Sequence, residues 1–198
     1  MADARICSVL LFAFLLTVVS SEGEDVEISN VDIVKFLTES PKLWVYNTTE
    51  QSNITCRLDV YNSVTANETS FSRFSRNGTR EEEKNLTGTF FLWEGGNTLA
   101  DGKYDAIKIS DGIQREYPLS EEVFEFQSKD GTCAVVAVLD NSSGMTKTWL
   151  DLRVNNSAIE SEPGKECSGK FEEILQAYHV RDRTWRISYD RECKNKLS

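Results

Sequence analysis

Along the run from Cys133 to Val154, CAVVAVLDNSSGMTKTWLDLRV, the residues Lys147, Trp149, Asp151 and Arg153 recur at every second position. In an extended strand that spacing puts all four on one face. A face carrying an ammonium, an indole, a carboxylate and a guanidinium has the chemistry of a binding pocket, a few charged anchors set among large apolar groups. Thr148, Leu150, Leu152 and Val154 fall on the opposite face. The strand is therefore expected to contact two environments, a packed layer and a polar pocket or solvent. The segment EVFEFQ, 122–127, alternates in the same way and groups Glu122, Phe124 and Phe126. An early aromatic segment, LWVYN, adds Trp44 and Tyr46. A single aromatic is most often ordinary core, but as a set these residues match the lining of a small-molecule site. The candidate ligand-binding residues are Trp44, Tyr46, Glu122, Phe124, Phe126, Lys147, Trp149 and Asp151, with Arg153 as a further polar anchor.

Catalytic chemistry is poorly supplied. His179 is the one histidine, and it falls at the end of an amphipathic pattern rather than in a recognisable pocket, whereas general-base catalysis needs a positioned group with a tuned pKa. The carboxylates are plentiful but sit mostly in surface-like runs such as REEEK, 80–84, expected as a solvated strand face or loop. There is no glycine-rich phosphate loop. The expectation is a binding protein and not an enzyme, with no catalytic residue, no cofactor and no metal.

The first residues, MADARICSVLLFAFLLTVVSSE, have an early arginine, an apolar stretch from Ile6 to Val19 and small residues after it. This is the pattern of a secretory signal peptide over residues 1–21, too short to span a membrane. Residues 22–198 are then one secreted domain. Beyond Cys7, four cysteines remain: Cys56, Cys133, Cys167 and Cys193. In an oxidising compartment they imply two disulfides in one of three pairings. Seven sequons, at Asn47, Asn53, Asn67, Asn77, Asn85, Asn141 and Asn155, agree with export and imply surface loops or strand ends wherever they carry glycan. The formal net charge of −10 argues against nucleic acid or an anionic membrane as partner, since both require a basic patch. A monomer with a small-molecule partner is the simplest expectation.

The elements that position these residues follow in order. Val31, Val34 and Leu37 are spaced as a short helix that ends before Pro41. Strands are expected at 43–47, 54–64, 69–76, 79–93, 104–110 and 122–127, then in the two arms of the Cys133–Val154 hairpin. Within 54–64, Ile54, Cys56, Leu58 and Val60 share one face, and Thr55, Arg57, Asp59 and Tyr61 the other. Asn77-Gly78 is a strong hairpin signal, and Gly95-Gly96 marks another turn. After Pro163, Phe171, Ile174, Leu175 and Tyr178 lie on one helix face, and Trp185–Tyr189 reads as a last strand. About eight meandering strands with one long C-terminal helix predict a mainly β fold, an eight-stranded antiparallel up-and-down barrel with the helix packed outside. Such a barrel can hold one small ligand.

The segment WVYNTT at 44–49, Cys56 just after it, the strand opening at Cys133, the strand holding Trp149, and Cys167, a helix and YDREC at 189–193 together resemble the tick salivary lipocalins that include the histamine-binding proteins. The resemblance spans nearly the whole mature chain. It implies a lipocalin barrel, the pairs Cys56–Cys193 and Cys133–Cys167, and secretion in saliva to sequester a host inflammatory mediator, with histamine or serotonin as the default ligand. Amine-binding members carry Cys-Asp at the start of one strand and Glu-Leu-Trp or Glu-Leu-Tyr in the next. Here Ala134 replaces the aspartate, and Lys147 stands where the glutamate would be. Unit charges about 4 Å apart interact by about 4 kcal/mol at an effective dielectric near 20, so losing an acid and gaining a lysine weakens ammonium binding. Lys147 and Arg153 could instead hold the carboxylate of a fatty-acid-derived mediator such as a leukotriene. Asp151 and Glu122 keep an amine site open as the alternative. A protein-binding immunomodulator that uses the barrel only as a scaffold is the second class; an open cavity reaching Trp149 would favour ligand capture, and a filled barrel would favour the scaffold.

Overall fold

The computed structural model describes residues 31–93, 103–112, 117–161, 163–178 and 184–196. The expected leader, the Gly95-Gly96 turn and His179 lie outside the described residues. The elements, in chain order, are α1 Ile33–Glu39, β1 Lys42–Thr48, β2 Ile54–Val64, β3 Glu68–Asn77, β4 Arg80–Phe91, β5 Ala106–Ser110, β6 Ser120–Gln127, β7 Cys133–Asp140, β8 Lys147–Asn155, α2 Lys165–Ala177, β9 Arg186–Ile187 and α3 Arg191–Lys196. Strands β1 to β8 each pair antiparallel with their neighbours in sequence, and β1 pairs with both β2 and β8, which closes the expected eight-stranded barrel. Closure leaves no long exposed sheet edge among the described residues.

Helix α1 stops one end of the barrel. Asp32 caps it by accepting from the Lys35 backbone N–H at 3.1 Å, so the helix begins after Asp32 and runs to Glu39 rather than spanning 31–37. It buries Ile33, Phe36 and Leu37, and the Phe36 ring meets Phe124 edge-on at 6.0 Å. At the other end, β3 and β4 turn through Gly78, whose φ of +62° a side chain would strain. Inside the wall, Gly88 packs against Ile107 so closely that a Cβ would come within 2.2 Å of its Cδ1, which leaves no room for a side chain.

Three strands are shorter than alternation predicts, because other partners take their backbone groups. The strand expected from Tyr104 starts at Ala106, since the Tyr104 carbonyl accepts from Ile33 N and the Asp105 carbonyl from Phe124 N. The strand expected to reach Trp93 stops at Phe91, and Trp93 N donates to the Asp105 carboxylate. Of 185–189 only Arg186–Ile187 is strand; the Ser188 and Tyr189 N–H groups both turn to the Tyr46 carbonyl, and the Ser188 carbonyl accepts from Cys56 N. The REEEK run forms the first turn-proximal half of β4.

Two cores result. The outer one places Leu150, Leu152 and Val154 of β8 and Val135 and Ala137 of β7 beneath Phe171 and Leu175 of α2, with Ile174 and Tyr178 packed at its margin. Cys56–Cys193 and Cys133–Cys167 staple this side, the pairing that the resemblance implies. The inner core joins α1 to Leu43, Tyr61, Phe71, Leu86, Phe90, Ile107, Phe124, Val136, Val138 and Trp149.

Candidate binding site inside the barrel

The face of β8 that the sequence singles out points inward for Trp149, Asp151 and Arg153, which pair across from Val138, Val136 and Ala134 of β7. Around them the alternation of β2, β3 and β6 brings Arg57, Asp59, Arg73 and Glu122 into the same layer. Arg73 forks onto Asp59 with two bonds of 2.7 Å and reaches Glu122 at 2.9 Å. Arg153 donates to the other oxygen of Glu122 at 2.6 Å and lies 3.4 Å from Asp151. Asp151 accepts from the Thr48 hydroxyl at 2.7 Å and faces Arg57 at 3.7 Å. Arg57 in turn bonds Glu50 at 2.7 Å. Glu122 and Asp151 are 0% exposed and Asp59 and Arg153 are 1% exposed. Three buried acids, with the half-buried Glu50 at their margin, thus share three arginines.

Burial at this depth penalises every one of these charges, and mutual pairing decides which survive. Burial alone would raise the Glu122 carboxyl, but Arg153 and Arg73 together hold it down to about 2. For Asp151 burial wins over Arg153, Arg57 and the Thr48 bond, and its carboxyl sits above the ordinary aspartate range. Its longer ion-pair distances explain the difference from Glu122. The Arg73 and Arg153 guanidinium groups overcome the same burial through Asp59 and Glu122 and stay firmly charged. Burial, then Asp59, pushes the Tyr61 hydroxyl up, so it stays neutral beside the network.

Among the described residues, two donors in this interior have no acceptor: Trp149 Nε1 and Arg153 Nε, both buried. The Arg57 guanidinium lies 5.9 Å from the centre of the Trp149 ring, within cation–π range. Buried donors without partners are uncommon in folded proteins and mark places where an acceptor belongs.

The expected site residues divide. Glu122, Phe124, Trp149 and Asp151 are brought together inside the barrel. Lys147 is exposed at the rim, opposite Asp140. Trp44 and Tyr46 face the outer core, where Trp44 Nε1 donates to Asn156 at 2.9 Å and both rings contact Tyr189. Phe126 also lies on the outer side, because a bulge between Phe124 and Phe126 breaks the alternation of β6. Arg57, Asp59 and Arg73 are functional candidates that the strand pattern did not single out. Arg57 and Asp59 were legible only as sharing a face with Tyr61 across from Cys56 and Leu58.

Of the sequons, Asn53, Asn67, Asn77 and Asn85 are exposed, Asn141 and Asn155 are half-buried, and Asn47 is buried. A groove of about 350 Å³ lies outside the barrel along Ser70, Thr87, Thr89 and Lys108. A hollow of about 270 Å³ lies beside Cys133 and Cys167. Neither is lined by Trp149 or by the charged layer. Among the described residues, the metal-ligand types that converge are Cys56, Asp190 and Cys193, and both cysteines there are in a disulfide. No described helix is long and apolar enough to cross a membrane.

No protein-family model and no curated protein matches the sequence. Solved structures do match. The siderocalin Ex-FABP, which functions through dual ligand specificities, superposes with a TM-score of 0.57 at 8% identity over 77% of this chain and 94% of that one. A second siderocalin with a dual ligand binding mode gives 0.53 at 13% identity over 78% of this chain and 91% of its own. Lipocalin 12 from rat epididymis gives 0.54 at 9% identity over 81% and 87%. At such identities the likeness establishes the barrel, which is the lipocalin fold.

Proposed function

We propose that this chain is a secreted, non-catalytic lipocalin that buries a small host inflammatory mediator in its barrel, in the manner of the tick salivary proteins that its sequence resembles. The single observation that carries the reading is the inward layer in which every buried acid is paired with an arginine while Trp149 Nε1 and Arg153 Nε lack acceptors. An ammonium finds each internal acid already held by an arginine, so binding it requires an arginine to be displaced. A carboxylate meets donors that are buried and unsatisfied, and a donor satisfied by a charged acceptor contributes on the order of 1.5–3 kcal/mol. Ala134, opposite Arg153 in the β7–β8 register, adds to this preference, because an aspartate there would compete for the guanidinium. The favoured ligand is therefore a fatty-acid-derived mediator with a carboxylate, of the leukotriene kind; histamine or serotonin is the alternative. Its binding would reorganise Arg57 above Trp149.

The test is calorimetric titration with leukotrienes, fatty acids, histamine and serotonin, read in parallel by Trp149 fluorescence. The expected result is saturable binding of the carboxylates, weakened about tenfold or more in Arg57→Gln and Trp149→Phe, as loss of one charge-assisted bond or buried donor predicts. Tighter binding of the amines would reverse the ligand assignment, and no saturable binding of any of them by folded protein would sink ligand capture. The second reading, a scaffold that binds a host protein, is favoured by the packing of the charged layer and by the absence of Trp149 from both cavities. It gains if every small molecule fails.

A further inference from the structure

We propose that the mature chain carries N-linked glycans at Asn53, Asn67, Asn77 and Asn85 and none at Asn47 or Asn155, so that sugar coats the β2–β4 wall. The proposal rests on the export reading given above.

Glycosylation joins the sugar to the asparagine Nδ2, and the folded protein must then leave that atom a path outward. The four exposed asparagines meet this condition. Asn53 ends the β1–β2 connection, and its neighbour Ile54 pairs with Asn77, so these two sites stand side by side at the open rim. Asn67 lies in the β2–β3 turn, where the Tyr104 hydroxyl donates to its Oδ1 at 3.3 Å. On β4, Asn85 Oδ1 accepts from the Ser72 hydroxyl at 2.9 Å. In both cases the protein engages the carbonyl oxygen of the side chain, which leaves the amide nitrogen for the sugar.

The two excluded sites are closed for different reasons. Asn47 is only 7% exposed and sits on β1 between Leu152 of β8 and Ile187 of β9, so a glycan there would have to part a paired strand from the barrel. Asn155 uses its whole side chain. Its Nδ2 donates to Ser40 Oγ at 2.7 Å, and its Oδ1 accepts from the backbone and hydroxyl of Ser157 at 3.0 and 3.2 Å. Ser40 is itself 1% exposed and its hydroxyl donates to the Gly131 carbonyl at 2.9 Å, so the contact cannot open without unlocking the closed end. Asn141 stands between the groups, half-buried in the β7–β8 loop with its Oδ1 accepting from Thr146. The sugars thus gather on the wall opposite α2, whose covering of β7 and β8 stays free of them.

The experiment is glycopeptide mapping of the disulfide-intact protein secreted by eukaryotic cells, once behind its own leader and once behind a foreign one. Expected are occupied Asn53, Asn67, Asn77 and Asn85 and bare Asn47 and Asn155. Asn→Gln changes at each of the four should remove one glycan's mass, and Asn47→Gln and Asn155→Gln should remove none. Glycan on Asn47 or Asn155 in folded secreted protein overturns the inference, as does a bare site among the four in both arms. Retention in the cell behind the native leader, with the four sites filled behind the foreign one, overturns the export reading and leaves the pattern standing.

Discussion

The two faces of β8 are built from adjacent residues and obey opposite energetics. Outward, Leu150, Leu152 and Val154 lie under Phe171 and Leu175, and each fully buried side chain of this kind contributes about 1.5–3 kcal/mol. Inward, Asp151 and Arg153 are buried just as deeply but must recover the cost of leaving water through their partners, an exchange that commonly comes out near zero against an apolar layer. Stability is thus concentrated on the outer face, beneath α2 and on the side that the two disulfides staple. The inner face adds little net stability, and it is the face on which the proposed ligand preference rests.

That contrast can be broken most strongly from outside. Opening Cys56–Cys193, whose cysteines are 137 residues apart, should cost about 5 kcal/mol in the chain-entropy account, and opening Cys133–Cys167, 34 apart, about 4 kcal/mol. Paired Cys→Ser variants compared by denaturant unfolding check both size and order; ligand affinity of the molecules that remain folded should not change.

The next effect comes from inside. Glu122→Gln leaves Arg73 and Arg153 short of a counter-charge and should cost on the order of 3 kcal/mol at neutral pH. Because the folded state holds this carboxyl below its ordinary range, at about 2, its contribution is present above about pH 4.5 and is lost as pH falls towards 2. The variant should therefore lose part of the acid-induced fall in Tm, and an unchanged acid limb would mean that Glu122 is not held by the arginines. Asp151 has the opposite sign: with its carboxyl raised, the penalty of ionising it in the fold appears as pH rises through and above the ordinary aspartate range. Asp151→Asn should remove that decline. The smallest effect is expected for Thr48→Val, about 1.5 kcal/mol for one hydrogen bond to a charged group, read as a modest drop in Tm at neutral pH that disappears once Asp151 is protonated.

Much of the fold could be read before the structure. Strict alternation in 147–154 separated the polar from the packed face of β8 correctly, and Asn77-Gly78 located the β3–β4 turn. The site was legible in part. Glu122, Trp149 and Asp151 do meet inside, but Trp44 and Tyr46, which share a face as alternation predicts, share the outer one, and a bulge at Phe124/Phe126 turns Phe126 outward. A bulge depends on how two strands pair, so it leaves no mark in the period of either alone. Arg73 was not foreseen for a related reason. Its role comes from Asp59 and Glu122, supplied by two other strands of the barrel.

What the sequence by itself determined is the number and order of strands, a short helix ahead of them, and the two-faced hairpin, since each depends on local periodicity and turn chemistry. Only the tertiary structure decided that the acids are already neutralised and that Trp149 and Arg153 keep donors to spare. Charge balance inside a barrel is a sum over strands distant in the chain, and no segment carries that sum alone.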